Sequence, residues 1–386
     1  MGTLILRWFL SRTVRQAVDM RRQAWKIVRA QRDLLSSSAI DTVQSAAHEL
    51  GGSIRTGQEL AVIRERMNNL EKAANQHLKP YPNTGWRENV EVLLVTGAVV
   101  LALRTFFFQP MAIPSGSAQP TLWGITHENL KGRADIEIPG GLRKLVESCW
   151  SGIHYYHKVA AEAGELRIDP PKAILPFVKR QVLWVGNKPY PIWFPPDELT
   201  KKAEIMDGQM IRRGEDILRL KVVSGDHLFV NRMTYNFRRP RRGEIIVFKS
   251  EGVPKLIQNT HYIKRLVALG GERVRIGNDR HLIINGQRLD ASTPFFENVY
   301  GFDPNEPPRA DHYSGHVNGE MFPNAELFPN ENTDFVIRPK HFFALGDNTM
   351  NSSDGRYWGD FPQEKVVGKA GFVFWPFSSR FGWGFR

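Results

Sequence analysis

Phe106-Phe-Phe-Gln-Pro-Met-Ala-Ile-Pro-Ser-Gly-Ser-Ala-Gln-Pro-Thr-Leu122 follows directly on an apolar run, Val92 to Leu103. It holds two serines around one glycine, fenced by prolines. Pro114 and Pro120 fix φ and remove backbone donors, so the segment is expected to be extended or turned, not helical. Gly116 lets the chain turn tightly between Ser115 and Ser117. Two hydroxyls just outside a hydrophobic run read either as an active site held at a membrane surface or as a plain juxtamembrane turn.

Toward the N-terminus, Val90 to Phe108 has about the length of a spanning helix, roughly 20 residues. Its interior, Leu93 to Leu103, carries no charge, with Glu91 and Arg104 near the ends. An arginine at that position can snorkel to the interface, and Phe106 to Phe108 would lie in the interfacial belt. A buried core helix is the other reading of such a run. Arg64, Arg66, Lys72, Lys79 and Arg87 precede it, and after Arg104 the next basic residue is Lys131. The positive-inside rule then puts the N-terminus in the cytoplasm and everything after Phe108 outside.

Further upstream, residues 5–34 predict a basic amphipathic helix, with Leu6, Leu10, Val14, Val18, Trp25 and Val28 on one side. Such a helix suits a membrane surface or a packing partner. Ser36-Ser-Ser and Gly51-Gly52 are expected to interrupt the helical pattern. A second helix is expected from Ile54 to about His77, ended by Pro80 and Pro82. The only apolar patch at the start, Leu4 to Leu10, is split by Arg7 and is not a secretory signal.

At 386 residues and 41% apolar, the chain can bury a real core in two or three domains. The net charge of +12 invites a nucleic-acid reading. Much of the excess lies before residue 90, where charge beside a span sets topology or binds anionic lipid. The single cysteine, Cys149, permits no internal disulfide.

From about residue 220 the texture is β. Strands are expected at His227–Asn231, Glu244–Lys249, Tyr262–Leu269, Arg273–Ile276, Leu282–Ile284, Phe342–Leu345 and Gly371–Trp375. Asn285-Gly286 is a strong hairpin turn. The pattern points to antiparallel sheets, not βαβ units. Lys264 falls inside an apolar strand, sharing a face with Tyr262 and Leu266 if neighbours alternate. A lysine facing inward must find an anion or lose its proton. A neutral amine beside a serine hydroxyl is a general base. The alternative is a lysine whose stem packs while its ammonium reaches water.

Taken in order, three boxes resemble those of the bacterial type I signal peptidases of the S26 type, membrane-anchored Ser–Lys proteases. They are Ile113-Pro-Ser-Gly-Ser117 after a span, Tyr262-Ile-Lys-Arg265, and Gly346-Asp-Asn…Ser352-x-Asp-x-Arg-Tyr-Trp-Gly359. The resemblance covers about Val90–Leu122 and Ser224–Trp375. It implies a mainly β catalytic domain of antiparallel sheets, one transmembrane helix, an N-terminal helical region and an inserted α+β segment. The implied domains are a cytoplasmic region 1–89, a span 90–108, an extracytoplasmic protease domain 109–124 with 224–386, and an insertion 125–223.

The resemblance also assigns roles. Ser117 is the nucleophile and Lys264 the general base, in a membrane-bound endopeptidase that removes signal peptides through an acyl-enzyme. The Ser115 hydroxyl and the Ser117 backbone N–H form the oxyanion hole. Ser352 orients the lysine amine, Asp354, Arg356 and Arg265 brace the site, and Tyr262 and Phe248 help to desolvate the lysine. No metal or cofactor is implied. The partners are exported precursors with Ala-x-Ala-type cleavage sites and membrane lipid, not nucleic acid, at the inner membrane with a single pass. A catalytically inactive, membrane-tethered signal-peptide-binding scaffold and a Ser–Lys self-cleaving protease are the alternatives.

The chain departs from the family pattern at Ala118, which is expected to alter packing near the site and not the chemistry, and at Thr349-Met350 and Gly355, which suggest a thinner bracing network. Asp347-x-Thr-x-Asn351 is expected to be a turn, since it lacks the glycine and glutamate of a calcium loop. The insertion is expected to mix a helix, Leu142 to about Ala163, with loops such as Asp169-Pro-Pro and Tyr190-Pro-Ile-Trp-Phe-Pro-Pro196.

Overall fold

A computed structural model describes residues 11–79, 84–133 and 135–383, with only the backbone described at 84, 85 and 87. Leu6, Arg7 and Leu10 of the expected first helix, the Pro80 and Pro82 stop, and the Arg87 side chain lie outside the described residues. The chain divides into two compact units, Met1–Gly97 and Ala98–Arg386.

In the first unit, helices Arg12–Ala30, Ser37–Arg55 and Leu60–His77 pack on one another. Ser11 and Ser36 cap the first two, their hydroxyls accepting from the N–H of Val14 and Ala39. The apolar side of the first helix, including Val14 and Val28, is spent on a core with Val43, Leu50, Ile63 and Leu70. That face is therefore packed within the chain. Gly51-Gly52 does not interrupt the second helix, contrary to expectation. A Cβ at Gly51 would sit 2.7 Å from Arg21 Nε, so the glycine admits a side chain of the first helix. The break falls later, at Gly57 with φ +73°, and the third helix starts at Leu60, not Ile54.

Helix Thr84–Ala102 runs into a π-turn, Leu103–Phe107. Within it, Glu88–Phe107 is 20 residues of mean hydropathy 2.0, long and apolar enough to cross a membrane, and none of its most apolar window is buried.

The second unit is built of antiparallel sheets. A seven-stranded sheet runs, in spatial order, Phe108–Ala112, His227–Asn231, Val366–Trp375, Ile245–Lys249, His261–Leu269, His341–Leu345 and Phe361–Pro362. A second sheet joins Gln287–Arg288, Leu282–Ile284, Arg273–Ile276 and Phe335–Val336. The hairpin at Asn285-Gly286 carries positive φ at both corners, 51° and 83°, which is why that dipeptide stands there.

Residues 125–223 form sheets of their own. Asp216–Val223 lies between Thr126–Asn129 and Ile153–Val159. Val178–Val185 pairs with Gly164–Ile168, Lys172–Leu175 and Lys188–Trp193. They enclose a separate core that includes Leu166, Leu183, Val185, Ile192 and Leu218. The expected helix is shorter, Gly141–Ser151, because Gly152 ends it in the left-handed region (φ +66°) and Ile153 begins a strand. Tyr190-Pro-Ile-Trp193 is strand, not loop. Its prolines are tolerated because Lys188–Trp193 pairs on one side only, with Val178–Val185.

Candidate active site

Three backbones meet around the Ser-Gly-Ser segment, and two glycines allow it. A Cβ at Gly225 would lie 1.9 Å from the Ile113 carbonyl oxygen, and one at Gly124 would lie 2.2 Å from that of Ser115. Asp226 ties the strands together. Its carbonyl accepts from Ile113 N–H (3.0 Å), its N–H donates to Trp123 O (2.8 Å), and its carboxylate accepts from Trp123 N–H (2.7 Å). Arg380 neutralises that buried carboxylate at 2.8 Å. The edge strand Phe108–Ala112 thus delivers a fixed loop, with Ser117 in a short turn, Gly116–Ala118, and nearly buried.

Lys264 comes from the strand His261–Leu269, opposite Ile246. Tyr262 and Leu266, two residues to either side, join one apolar cluster with Phe248, Trp358 and Phe361. Phe248 stacks on Tyr262 with ring centroids 6.0 Å apart. Lys264 is 3% exposed, and its Nζ lies 2.6 Å from Ser117 Oγ. Burial pushes its ammonium down to about 8; Asp354 and Asp347 oppose this, and Arg356 assists it. As an ammonium, Nζ donates to Ser117; as a free amine, it can accept the hydroxyl proton. Ser115, an exposed residue, donates to Ser117 Oγ at the long distance of 3.5 Å.

Two buried ion pairs flank the dyad. Arg265 forks onto Asp347 at 2.7 and 2.6 Å and donates to the carbonyls of Gly243 (2.7 Å) and Phe295 (2.8 Å). Asp347 also accepts from the hydroxyl of Thr121, four residues past Ser117. Arg356 forks onto Asp354 at 2.9 Å twice, and Gly346 N–H donates to the same carboxylate at 3.1 Å. For Asp354, desolvation favours the neutral acid, but the Arg356 charge and hydrogen bonds win and hold its pKa below the ordinary value. Asp347-x-Thr-x-Asn351 is therefore part of a turn whose acid is committed to an arginine.

The expected thinning of the braces is not seen at Thr349. Its hydroxyl accepts from Arg356 Nη1 (2.9 Å) and Val317 N–H (2.9 Å), and its carbonyl accepts from Arg356 Nη2 (2.8 Å). Gly355 has a packing reason: a Cβ there would lie 2.6 Å from Phe343 Cε2 and 3.0 Å from the Ala344 carbonyl. Ala118 is buried in the apolar cluster behind the loop. Ser352 lies beside the dyad, since a Cβ built on Gly346 would touch Ser352 Oγ at 2.2 Å and Ser117 O at 2.4 Å. Its hydroxyl is buried and has no hydrogen-bond partner among the described residues, so it does not hold the lysine amine here.

Sequence reasoning missed Asn348, Thr121 and Asp347. Asn348 fastens the Ser117 loop: its N–H donates to Ser117 O (3.2 Å) and its side chain to Gly116 O (2.9 Å). The Gly-Asp-Asn turn was the available signal, but its partners lie more than 200 residues away in sequence.

Beside Ser115 a groove of ≈ 270 Å³ is lined by Met111, Ile113, Leu228, Val230, Val247 and Ile263, among others. Both its banks are open β-edges. Phe108–Ala112 pairs only with His227–Asn231, and the strand His341–Leu345 reaches His261–Leu269 only from Arg265 onward. Among the described strands, His261 to Lys264 are therefore unpaired on that side, and His261, Tyr262 and Ile263 line the groove.

Residues 219–375 match the family described as "Signal peptidase, peptidase S26". Signal peptidase IB of Staphylococcus aureus is 30% identical over 154 residues, which cover 40% of this chain and 71% of that protein. Signal peptidase I of Pseudomonas aeruginosa is 28% identical over 240 residues, 54% of this chain and 78% of that one. Signal peptidase I of Pseudomonas fluorescens is 32% identical over 177 residues, and the match covers 39% of this chain but only 58% of that relative's length. A crystal structure of a signal peptidase I from Enterococcus faecalis V583 aligns with 34% of this chain and 97% of its own at 29% identity, with a TM-score of 0.24. The chain belongs to the S26 signal peptidase family.

Proposed function

We propose that this chain is a membrane-anchored serine endopeptidase that removes amino-terminal signal peptides from exported precursors. The observation that carries the reading is the buried, 2.6 Å contact between an amine of lowered pKa and a serine hydroxyl. In the proposed mechanism, neutral Lys264 takes the Ser117 proton as Oγ attacks the scissile carbonyl. The Ser115 hydroxyl and the Ser117 backbone N–H receive the oxyanion. Lys264 then protonates the leaving amine and activates the water that cleaves the acyl-enzyme. Arg265, Asp354 and Arg356 act as braces, with Asn348 added to them.

The precursor binds as an extra strand in the groove between Phe108–Ala112 and His261–Lys264. The small apolar volume there favours the short side chains of an Ala-x-Ala site. The Glu88–Phe107 helix supplies the anchor, with residues 1–89 cytoplasmic and the protease domain outside, as the basic residues before it favour. Tethering raises the local concentration of membrane-emerging precursors.

The test uses the full-length protein in detergent and lipid with an Ala-x-Ala precursor. Wild type is expected to release the mature chain, and Ser117→Ala or Lys264→Ala to lower kcat/KM at least about 10⁴-fold. Undiminished cleavage by either variant, or precursor binding without cleavage by wild type, would overturn the proposal.

A further inference from the structure

Lys172–Leu175 and Val178–Val185 form a hairpin in residues 125–223 whose tip is apolar. Ile174, Leu175 and Phe177 are exposed there, and Phe177 is 97% exposed. Trp193 and Phe194 are exposed at the same end of the sheet, since Arg180 pairs with Trp193 and Phe194 N–H donates to Lys179 O. A collar of positive charge stands one or two rows behind the tip: Lys179, then Lys172 opposite Arg180. Residues 172–196 hold four basic residues and no acidic one. Asp197 approaches Lys179 only to 4.0 Å, and Arg180 lies over the Trp193 ring at 5.7 Å.

The turn itself is not built for its own stability. Leu175 faces Val178 across Pro176-Phe177, and Phe177 has φ +72°. A turn with proline at its second position and positive φ at its third ordinarily carries Gly or Asn at the third, where a bulky side chain is strained. The chain places an almost wholly exposed aromatic there. An apolar tip, an interfacial tryptophan and a cationic collar with a single exposed acid, Asp197, at its edge are together the pattern of a segment that enters an anionic bilayer surface.

We propose that the Lys172–Trp193 hairpin is a second lipid contact, inserting Leu175 and Phe177 below anionic headgroups while Lys172, Lys179 and Arg180 bind the phosphates. The inference rests on the membrane part of the proposed function. It gives residues 125–223 a role in holding the protease domain against the bilayer. Each basic residue near such a surface strengthens binding roughly five-fold.

The full-length chain carrying Cys149→Ser and a spin label on Phe177→Cys is reconstituted into nanodiscs of phosphatidylethanolamine with phosphatidylglycerol. Collisions with oxygen and with a water-soluble nickel chelate are compared. The label at Phe177→Cys is expected to meet oxygen and be shielded from nickel. A label on Asn187→Cys, in the turn at the other end of the same strands, is expected to behave oppositely. Lys179→Glu with Arg180→Glu should cut the shielded fraction at least about ten-fold. Phe177→Gly relieves the turn, so with the label on Leu175→Cys it should loosen lipid contact without lowering Tm. Nickel access at Phe177→Cys equal to that at Asn187→Cys overturns the proposal, as does shielding indifferent to all these changes. A label on Val99→Cys separates the readings. If it is lipid-shielded while Phe177→Cys is not, the hairpin fails alone; if neither is shielded, the anchor fails too.

Discussion

The protease-like region and the segment 125–223 are both antiparallel sheets with closed cores, yet their interiors are opposite in kind. Among the described residues, the buried acids and bases of the second unit (Asp226, Glu244, Lys264, Arg265, Arg280, His281, His316, Asp347, Asp354, Arg356 and Asp360) all lie outside 125–223. Among the described residues of 125–223, the buried side chains with polar atoms are Gln181, bonded to a backbone carbonyl, and Tyr190, whose hydroxyl accepts from Ala161 N–H. Burying charge is expensive, and an apolar replacement of a buried ion pair is often no less stable. An interior that needs only to be stable looks like that of 125–223. The other region spends stability on holding a lysine dry and a serine still.

The largest effect should come from halving a buried pair. Arg356→Met leaves Asp354 buried without its counter-charge, and a loss of about 3–5 kcal/mol is expected in urea unfolding. In 125–223, Arg143→Gln removes an exposed pair with Glu147 (3.0 Å) and should move stability by less than about 1 kcal/mol. Equal losses would break the comparison.

Next comes the lysine. Its folded pKa lies near 8 and its ordinary value is 10.5. Below pH 8 both states are protonated, and the folded state carries the whole cost of a buried ammonium. Between 8 and 10.5 the unfolded chain binds more protons, so stability rises with pH; above 10.5 the cost is gone. Lys264→Met should therefore be more stable than wild type at neutral pH, by on the order of 3 kcal/mol. The gap should close as the pH passes from 8 to 10.5. Wild-type kcat/KM should climb with pH to a plateau above about 8, as the amine becomes neutral. A pH-independent gap would mean that the amine is not desolvated.

How much of this was legible follows from the same contrast. Ser117 and Lys264 stood out because their chemistry conflicts with their surroundings: hydroxyls outside an apolar run, a charge inside an apolar strand. Asn348 and Thr121 did not, because their partners, Gly116 O and Asp347, are brought near only by the tertiary fold. In 125–223 no acid or base is buried among the described residues, so only local rules were available, and they misread the proline-bearing edge-strand residues Tyr190–Trp193 as part of a loop. Gly51 shows the same limit in the first unit: packing against Arg21 outweighs a helix propensity cost of about 1 kcal/mol.

Glycines sharpen the comparison further. In Gly346→Ala the new methyl would press on Ser352 and on the Ser117 carbonyl that Asn348 holds. A displacement of the Ser117 loop by about 1 Å should cost about 10²-fold in kcat. Gly164→Ala is also crowded by backbone, with its Cβ 2.6 Å from Gly186 N, but it sits in 125–223. It should lower Tm and leave kcat for a soluble peptide unchanged. A fall in kcat there would couple the two regions more tightly than their separate cores imply.

The smallest effect, and the most diagnostic, concerns Ser352. A buried hydroxyl without a partner already bears its desolvation cost, so deleting it should be neutral or slightly stabilising. Ser352→Ala is expected to keep stability within about 1 kcal/mol of wild type. If the hydroxyl turns to the lysine amine only when a peptide fills the groove, kcat should fall while KM and Tm stay put. A drop of about 1–3 kcal/mol would instead mean that the hydroxyl is already bonded in the free protein. The split between Tm and kcat at this one atom tells whether the lysine is fully oriented before substrate arrives.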